Sequence, residues 1–545
     1  VVKISPAATT ARPSPTPKTG DVGCNWLESM THGLTVYLLN APSALIVVAL
    51  TMTNVAGAEN PPQWWGNELG DEPIVLPGFQ PITVDGLNVR LGSGRVYTWD
   101  NSYVPRALSS RNTPFVSESQ LLIRAGAGQS LTAPQSIEVV SDINGHDAVV
   151  TAKGRIGDAS VSVVTRVEYD GLATINVKIE PSGPLKITKM EYFARIKRNE
   201  WTRMLKYQPD KIQARQKQAY SLPKYEGAYL SAVSILDGER SFWWFNDDAR
   251  GWKNNPDDVT QVGAGSGDLD SIVLRQKIIA VDTNIDEELV FSFNLMTTPV
   301  KPNIGNVRSN RFARHLTKEE AKHHGLNIWW LTAFAHQNFP YTEYPGSTKD
   351  SFPETDLNAY PGLSKNKSLL REYRKLGLVR LPYFSAHNLN PADPAYQKFR
   401  KRWQLEPVKK WNRRFDKPFT AKRNDVYLTH RAPGYTNYLL YRFSKTIDEL
   451  GYEGLYFDQG SVMSSNRADN GLWIDSANQK RSSTEILAMR KFFKRLATIL
   501  HAKGKDGKIF VHNSNTAVLP AYSFVTSMVQ GEEFEHRLVD YDYIS

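Results

Sequence analysis

The segment "GYEGLYFDQG", residues 451–460, runs Leu455, Tyr456 and Phe457 straight into an acid, Asp458, and then turns at Gly460. A short apolar strand that stops at a carboxylate has two readings. The acid either caps the loop that follows, or it stands at the mouth of a parallel barrel, where catalytic groups collect. The neighbouring segments bear on the choice.

Strand-like runs recur on both sides, at "NIWWLTAFAH" (327–336), "LVRLPYFSAH" (378–387), "DVYLTHR" (425–431), "EGLYFD" (453–458), "KIFVHN" (508–513) and "SFVTSMVQ" (523–530). Amphipathic helices separate them, clearest at 436–451 and 484–504, each stopped by a glycine. Alternating strands and helices predict a parallel sheet with right-handed crossovers. Six such units predict a TIM-type (β/α) barrel truncated after its sixth unit, with an open doubly wound sheet as the other reading. A doubly wound nucleotide-binding sheet would carry a glycine-rich turn after its first strand, and none is present.

Residues 80–300 have a different period. In "ATINVKIEP" (173–181), Ile175, Val177 and Ile179 alternate with Asn176, Lys178 and Glu180, as in a half-buried strand. Asp170-Gly171 just before it signals a hairpin. Similar runs at 136–140, 148–153, 185–195 and 288–296 predict a β-sandwich. The expected organisation is a leader and signal peptide over 1–58, a sandwich over 59–300, a Pro- and Gly-punctuated linker over 301–324 and a partial barrel over 325–545. The leader is read from the apolar stretch within 34–60, which ends in Val55-Ala56-Gly57-Ala58, the layout of a cleavage site. Asn40 and Pro42 interrupt that stretch, so no integral membrane span is expected and the mature chain is expected to be secreted or periplasmic.

The chain has 545 residues, 41% hydrophobic and 22% charged, enough to bury a large core. Its single cysteine, Cys24, lies in the leader, so disulfides, thiolate metal sites and a cysteine nucleophile are not expected in the mature chain. The net charge of +10 is concentrated in part at 401–423, where Lys409, Lys410, Arg413, Arg414 and their neighbours form either solvated surface or a groove for a sulfated or uronate-bearing glycan. Nucleic acid is not the expected partner, since no zinc-finger, RNP-like or basic heptad pattern is present. HExxH and G-x-S-x-G motifs are absent too, and no metal or cofactor is expected.

Each strand of the second half ends in polar chemistry: His336, then His387, then His430 and Arg431, then Asp458 and Gln459, then His512 and Asn513, and after the sixth Glu532 and Glu533. Barrel stability asks for no titratable group at every strand end. Asp458 and one of Glu532 or Glu533 would face each other across the mouth, as glycoside cleavage requires of its two carboxylates. His387, His430, Arg431, Gln459, His512 and Asn513 are candidate substrate contacts. Trp473, in the long polar loop 459–483, is a candidate stacking platform for a sugar ring.

"FWWFNDDARGW" (242–252), "FSFNLMTTPVKP" (291–302) and "GLYFDQG" (454–460) resemble glycoside hydrolase family 123. That resemblance implies a sandwich joined to a (β/α) barrel and hydrolysis assisted by the substrate's acetamido group, with an adjacent Asp-Glu pair. The matching position here carries Asp458-Gln459, and glutamine cannot act as the acid. The layout is also similar to that of retaining α-glycosidases, which implies an Asp nucleophile on the fourth strand and an acid/base carboxylate on the sixth. The reading is an exported hydrolase of a complex, anionic or sulfated polysaccharide. A carbohydrate-binding pseudoenzyme and a polysaccharide lyase are the alternatives.

Overall fold

Along the strand Ala173–Glu180, Ile175, Val177 and Ile179 have no exposed surface while Asn176 and Glu180 face solvent, so the two-residue period does place one face in a core. This computed structural model describes residues 62–208, 221–265, 268–301, 312–313, 323, 328–331, 371, 374–387, 389, 393–406, 427–458, 460–505, 507–513 and 516–529. Two antiparallel sheets of ten and eight strands make up the first half. Their faces meet in ring contacts such as Tyr192 with Phe293, 5.0 Å between centroids. The hairpin at Asp170-Gly171 forms as read. Gly171 has φ +90°, and a Cβ there would lie 2.1 Å from Nη1 of the buried Arg95, so only glycine fits.

Among the described residues, the second half holds a six-stranded parallel sheet and a small three-stranded antiparallel one within 464–484. The strands of the parallel sheet are β1 (Phe312–Ala313), β2 (Ile328–Leu331), β3 (Val379–Ser385), β4 (Gly454–Asp458), β5 (Lys508–His512) and β6 (Ser527–Val529), and they neighbour one another in chain order. Two of these differ from expectation. Among the described residues of the run 425–431, which are 427–431, there is no strand: Leu428 makes one isolated bridge to Gln404, and Thr429–Arg431 turn away from the sheet. In its place the edge strand β1 emerges from the expected linker, so β4 is still fourth in the sheet.

Three helices of the second half matter for the site, α1 (Pro394–Trp403), α2 (Tyr435–Leu450) and α3 (Ile486–Ala502). Leu455 and Phe457 of β4 point to the helical side, where Phe457 meets Phe443 of α2 at 5.4 Å and Phe492 and Phe493 of α3 at 5.5 and 5.9 Å. Burying such a side chain stabilises the fold by about 2–3 kcal/mol. α1 stacks on α2 through Trp403 and Tyr435. The other face of the sheet carries its own small cluster, Leu381, Tyr456 and Phe510. A doubly wound sheet has helices on both faces and a reversal in strand order. Here, among the described residues, α2 and α3 share one face and the order does not reverse. Pairing of β1 with β6, which would close a barrel, does not occur among the described strands.

The two halves share one hydrophobic core and are tied by ions. Arg490 of α3 is buried and donates to both oxygens of Asp170, at 2.6 and 3.0 Å, and also to Glu168. Lys494, one turn on, also reaches Glu168. Burial alone would raise the Glu168 pKa, but Arg490 and Lys494 overcome it and hold the carboxyl well below its ordinary range. Arg490 is desolvated too, and its two acids outweigh that and raise its pKa.

Candidate active site

Side chains alternate along β4, so Asp458 leaves the sheet on the side of Tyr456, away from α2 and α3. Ser385, at the end of β3, is its register partner on one side, and His512 ends β5 on the other. Nδ1 of His512 lies 2.8 Å from Oδ1 of Asp458. An ionised carboxylate only accepts, so Nδ1 carries the proton and the hydrogen bond fixes both groups. Each side chain is 15% exposed, which leaves the pair sheltered yet reachable.

The turn after Asp458 is held from many directions. Gly460 N donates to His512 O at 2.9 Å, while its carbonyl accepts from Tyr522 Oη at 2.9 Å. A Cβ on Gly460 would lie 2.3 Å from Cγ1 of Val511, which explains the glycine that follows the acid. Ser461 O faces Nε2 of His387 at 2.8 Å, and Ser461 Oγ donates to Asn513 Oδ1 at 2.7 Å. Val462 N donates to Tyr522 Oη, and Val462 O accepts from Tyr207 of the sandwich.

Beneath this turn sits Glu485, with no exposed surface, at the entry to α3. Its carboxylate accepts from Thr429 Oγ1 at 2.7 Å, from His430 N at 2.9 Å and from Met463 N at 3.0 Å. Nε2 of His387 is 3.5 Å away. Three separate segments, at 387, 429–430 and 463, therefore converge on one buried acid, which acts as a structural hub.

These placements correct part of the expected contact set. His387 has no exposed surface, and its ring nitrogens face Leu428 O and Ser461 O. His430 is buried, with Nε2 on Ala386 O and Nδ1 on Thr436 Oγ1. Burial, with His387 beside it, pushes the His430 pKa well down, so the ring is neutral. Asn513 is buried against Ser461. Arg431 donates to Asn470 O and Thr484 O and pairs with Asp247 at 3.1 Å. His387, His430 and Asn513 are buried and Arg431 has its side chain 21% exposed; in the structure all four hold the turns around Asp458. Trp473 is 7% exposed, donates Nε1 to Ser482 O and meets Tyr229 of the sandwich edge-on at 5.9 Å, so its ring is a packing element. Gln459, Glu532 and Glu533 lie outside the described residues, as do His336, most of the basic segment 401–423 and the whole leader.

Sequence reading missed Glu485, Tyr207, Tyr522 and Asp247. Glu485 had a local signal, an acid at the start of an apolar helix. Asp247, inside "FWWFNDDARGW", accepts from Ile486 N at 2.8 Å and Thr484 Oγ1 at 3.0 Å, and so ties the sandwich to the first turn of α3. Burial raises its pKa to about 6 against the pull of Arg431. Among the described residues no group of three or more His, Cys, Asp and Glu side chains could hold a metal, and no helix is long and apolar enough to cross a membrane.

No protein-family model matches the chain, and no curated protein matches it. Solved structures do. A GH36 α-galactosidase, AgaA from Geobacillus stearothermophilus, in complex with 1-deoxygalactonojirimycin, has a TM-score of 0.41 at 9% identity over 82% of this chain and 75% of that one. The galactosidase domain of the α-galactosidase-sucrose kinase AgaSK has a TM-score of 0.37 at 11% identity, over 81% and 68%. A GH31 sulfoquinovosidase from E. rectale has a TM-score of 0.34 at 10% identity, over 82% and 68%. These neighbours are glycoside hydrolases; likeness of this degree assigns neither chemistry nor substrate to the present chain.

Proposed function

We propose that the chain is a glycoside hydrolase that cleaves O-glycosyl bonds of a complex polysaccharide, in a (β/α) barrel of which β1–β6 form part of the wall. The observation that carries this reading is the placement of Asp458 at the C-terminal end of a parallel strand, on the face opposite α2 and α3, oriented by His512 at 2.8 Å. Glycoside cleavage requires one carboxylate to attack or shield the anomeric carbon and a second, protonated, to serve the leaving oxygen. Asp458 takes the first role. Glu485 is unsuited to the second, being buried under its own hydrogen bonds. Glu532 or Glu533, a few residues beyond β6, takes it. His512 and Gln459 contact the sugar hydroxyls. The net charge of +10 and the apolar stretch within 34–60 support export and an acidic glycan, sulfated or uronate-bearing.

The test is hydrolysis of aryl glycosides of both anomers, and of neutral, sulfated and uronate-bearing oligosaccharides, by the full chain beside Asp458→Asn, Glu532→Gln and Glu533→Gln. D458N is expected to lose about a thousandfold or more in kcat, and one glutamate variant about a hundredfold or more. Azide should restore turnover to Asp458→Gly as a glycosyl azide. Glycan binding without turnover, unchanged in all three variants, makes the chain a binding protein; unsaturated products absorbing in the ultraviolet make it a lyase.

A further inference from the structure

Asp458 is followed by a turn whose polar groups are nearly all supplied with partners. Most come from the parallel-sheet half: His512 O for Gly460 N, Tyr522 Oη for Gly460 O and Val462 N, His387 for Ser461 O, and Glu485 for Met463. One comes from elsewhere. Tyr207 ends the sandwich strand Arg203–Tyr207, is itself buried, and donates its hydroxyl to Val462 O at 2.8 Å across 255 residues of chain. We infer that Tyr207 is a positioning residue for Asp458, so that the sandwich completes the active site. The inference rests on the role given to Asp458 above.

Val462 is buried, so its carbonyl has no route to water if the phenol is removed. Burial raises the Tyr207 pKa, so the phenol keeps its proton and remains a donor to Val462 O at neutral pH. Tyr522 grips the same turn from the opposite direction: its oxygen accepts from Val462 N and its proton goes to Gly460 O. Two tyrosines, one from each half, therefore pinch three consecutive residues that begin two positions after the acid. β4 fixes Asp458 from the N-terminal side, and the pinched turn fixes it from the C-terminal side. A carboxylate that attacks or shields a sugar carbon must hold its approach to a fraction of an ångström, so slack in this turn lowers turnover before it lowers binding.

The experiment uses the full chain with Tyr207→Phe, which keeps the ring and removes the donor. Tyr225→Phe is the control, since the Tyr225 hydroxyl donates to Ala228 O at 3.0 Å, accepts a long 3.5 Å bond from Gln208 Nε2, and makes no hydrogen bond to the turn. Hydrogen exchange of the peptide covering 456–464 needs no substrate. It is expected to quicken about tenfold in Y207F and to be unchanged in Y225F. With any glycoside that the wild type turns over, kcat of Y207F should fall about tenfold while KM moves less than twofold. Tyr522→Phe should reproduce both effects from the other side, and the double variant should lose less than the product of the two. Unchanged exchange in Y207F overturns the inference. So does faster exchange with kcat intact, which reduces the bond to a structural contact. If no glycoside is turned over, or if D458N is as active as wild type, the hydrolase reading fails and with it the positioning role, whatever the exchange data show of the bond itself.

Discussion

Asp458 and His512 end adjacent parallel strands and share a 2.8 Å hydrogen bond, Nδ1 of the imidazole against Oδ1 of the carboxylate. With Nδ1 committed to the acid, the ring plane is set, and so is the rotamer of the carboxylate. His512→Gln is expected to lower kcat about tenfold to a hundredfold, less than the loss in D458N. Chemical denaturation should stay within about 1 kcal/mol of wild type, since the pair is partly solvated. Equal losses in H512Q and D458N would mean that the histidine itself does the chemistry.

Gly460 bears on shape alone. A methyl group there meets Cγ1 of Val511 at 2.3 Å, and a β-branched neighbour in a packed core cannot turn aside. Gly460→Ala is expected to destabilise by about 1–3 kcal/mol in urea unfolding. Val511→Ala, introduced second, should return part of that loss by opening the space, so the two substitutions together cost less than their sum.

Removing the Glu485 carboxylate leaves Thr429 Oγ1, His430 N and Met463 N buried without their acceptor. Glu485→Ala is therefore expected to cost about 3–5 kcal/mol, at the upper end for a single side chain. Glu485→Gln retains one accepting oxygen and should cost less. Urea midpoints of the three proteins check the order.

Arg490, Glu168 and Asp170 predict how the fold meets acid. The folded-state pKa of Glu168 is depressed, so its contribution is present above the ordinary glutamate value and is lost as pH falls below about 4.5 toward the folded value. Unfolding free energy should fall steeply through that window. In Glu168→Gln the fall should be shallower, from a lower starting point. Arg490→Met leaves Asp170 buried and unpaired and is expected to cost about 3–5 kcal/mol at neutral pH.

Asp247 runs the other way. Its folded pKa is raised to about 6, so the stability it contributes is complete below the ordinary aspartate value and is lost as pH rises through 6. Between pH 4 and 7 that loss amounts to at most about 3 kcal/mol. Asp247→Asn should flatten the stability curve over this interval. With Glu168 failing below about pH 4.5 and Asp247 weakening from about pH 4 upward, these two groups together place maximum stability at about pH 4 in thermal scans across pH 3–8.

Much of the architecture is legible in the chain, because period and punctuation are local. Ile175, Val177 and Ile179 announce a sheet, Asp170-Gly171 announces its hairpin, and Gly451 and Gly504 follow the helices they stop. The segment "DVYLTHR" misleads because Val426, Tyr427 and Leu428 have strand-like propensity while Glu485, almost sixty residues later, draws Thr429 and His430 into a turn. β1 is hidden because a two-residue edge strand carries no period at all. Within the site, Asp458 and His512 stand on neighbouring strands at matching ends, as their places after two apolar runs imply. The histidines at 387 and 430 read the same way in one dimension. Their ring nitrogens are taken by carbonyls at 428, 461 and 386, and burial of that kind depends on partners no local pattern reveals.

The clasp of Arg490 on Asp170 and Glu168 also bears on the order of assembly. A ribosome releases the two acids some 320 residues before the arginine they bind, and domains emerging first generally fold first. The antiparallel half then presents a finished acidic socket when α3 emerges, and the later strands anneal against a template rather than seeking their register unaided. Chains relieved of that socket by deletion or by grafting a foreign sandwich are therefore expected to stall with α3 undocked and to collect in inclusion bodies.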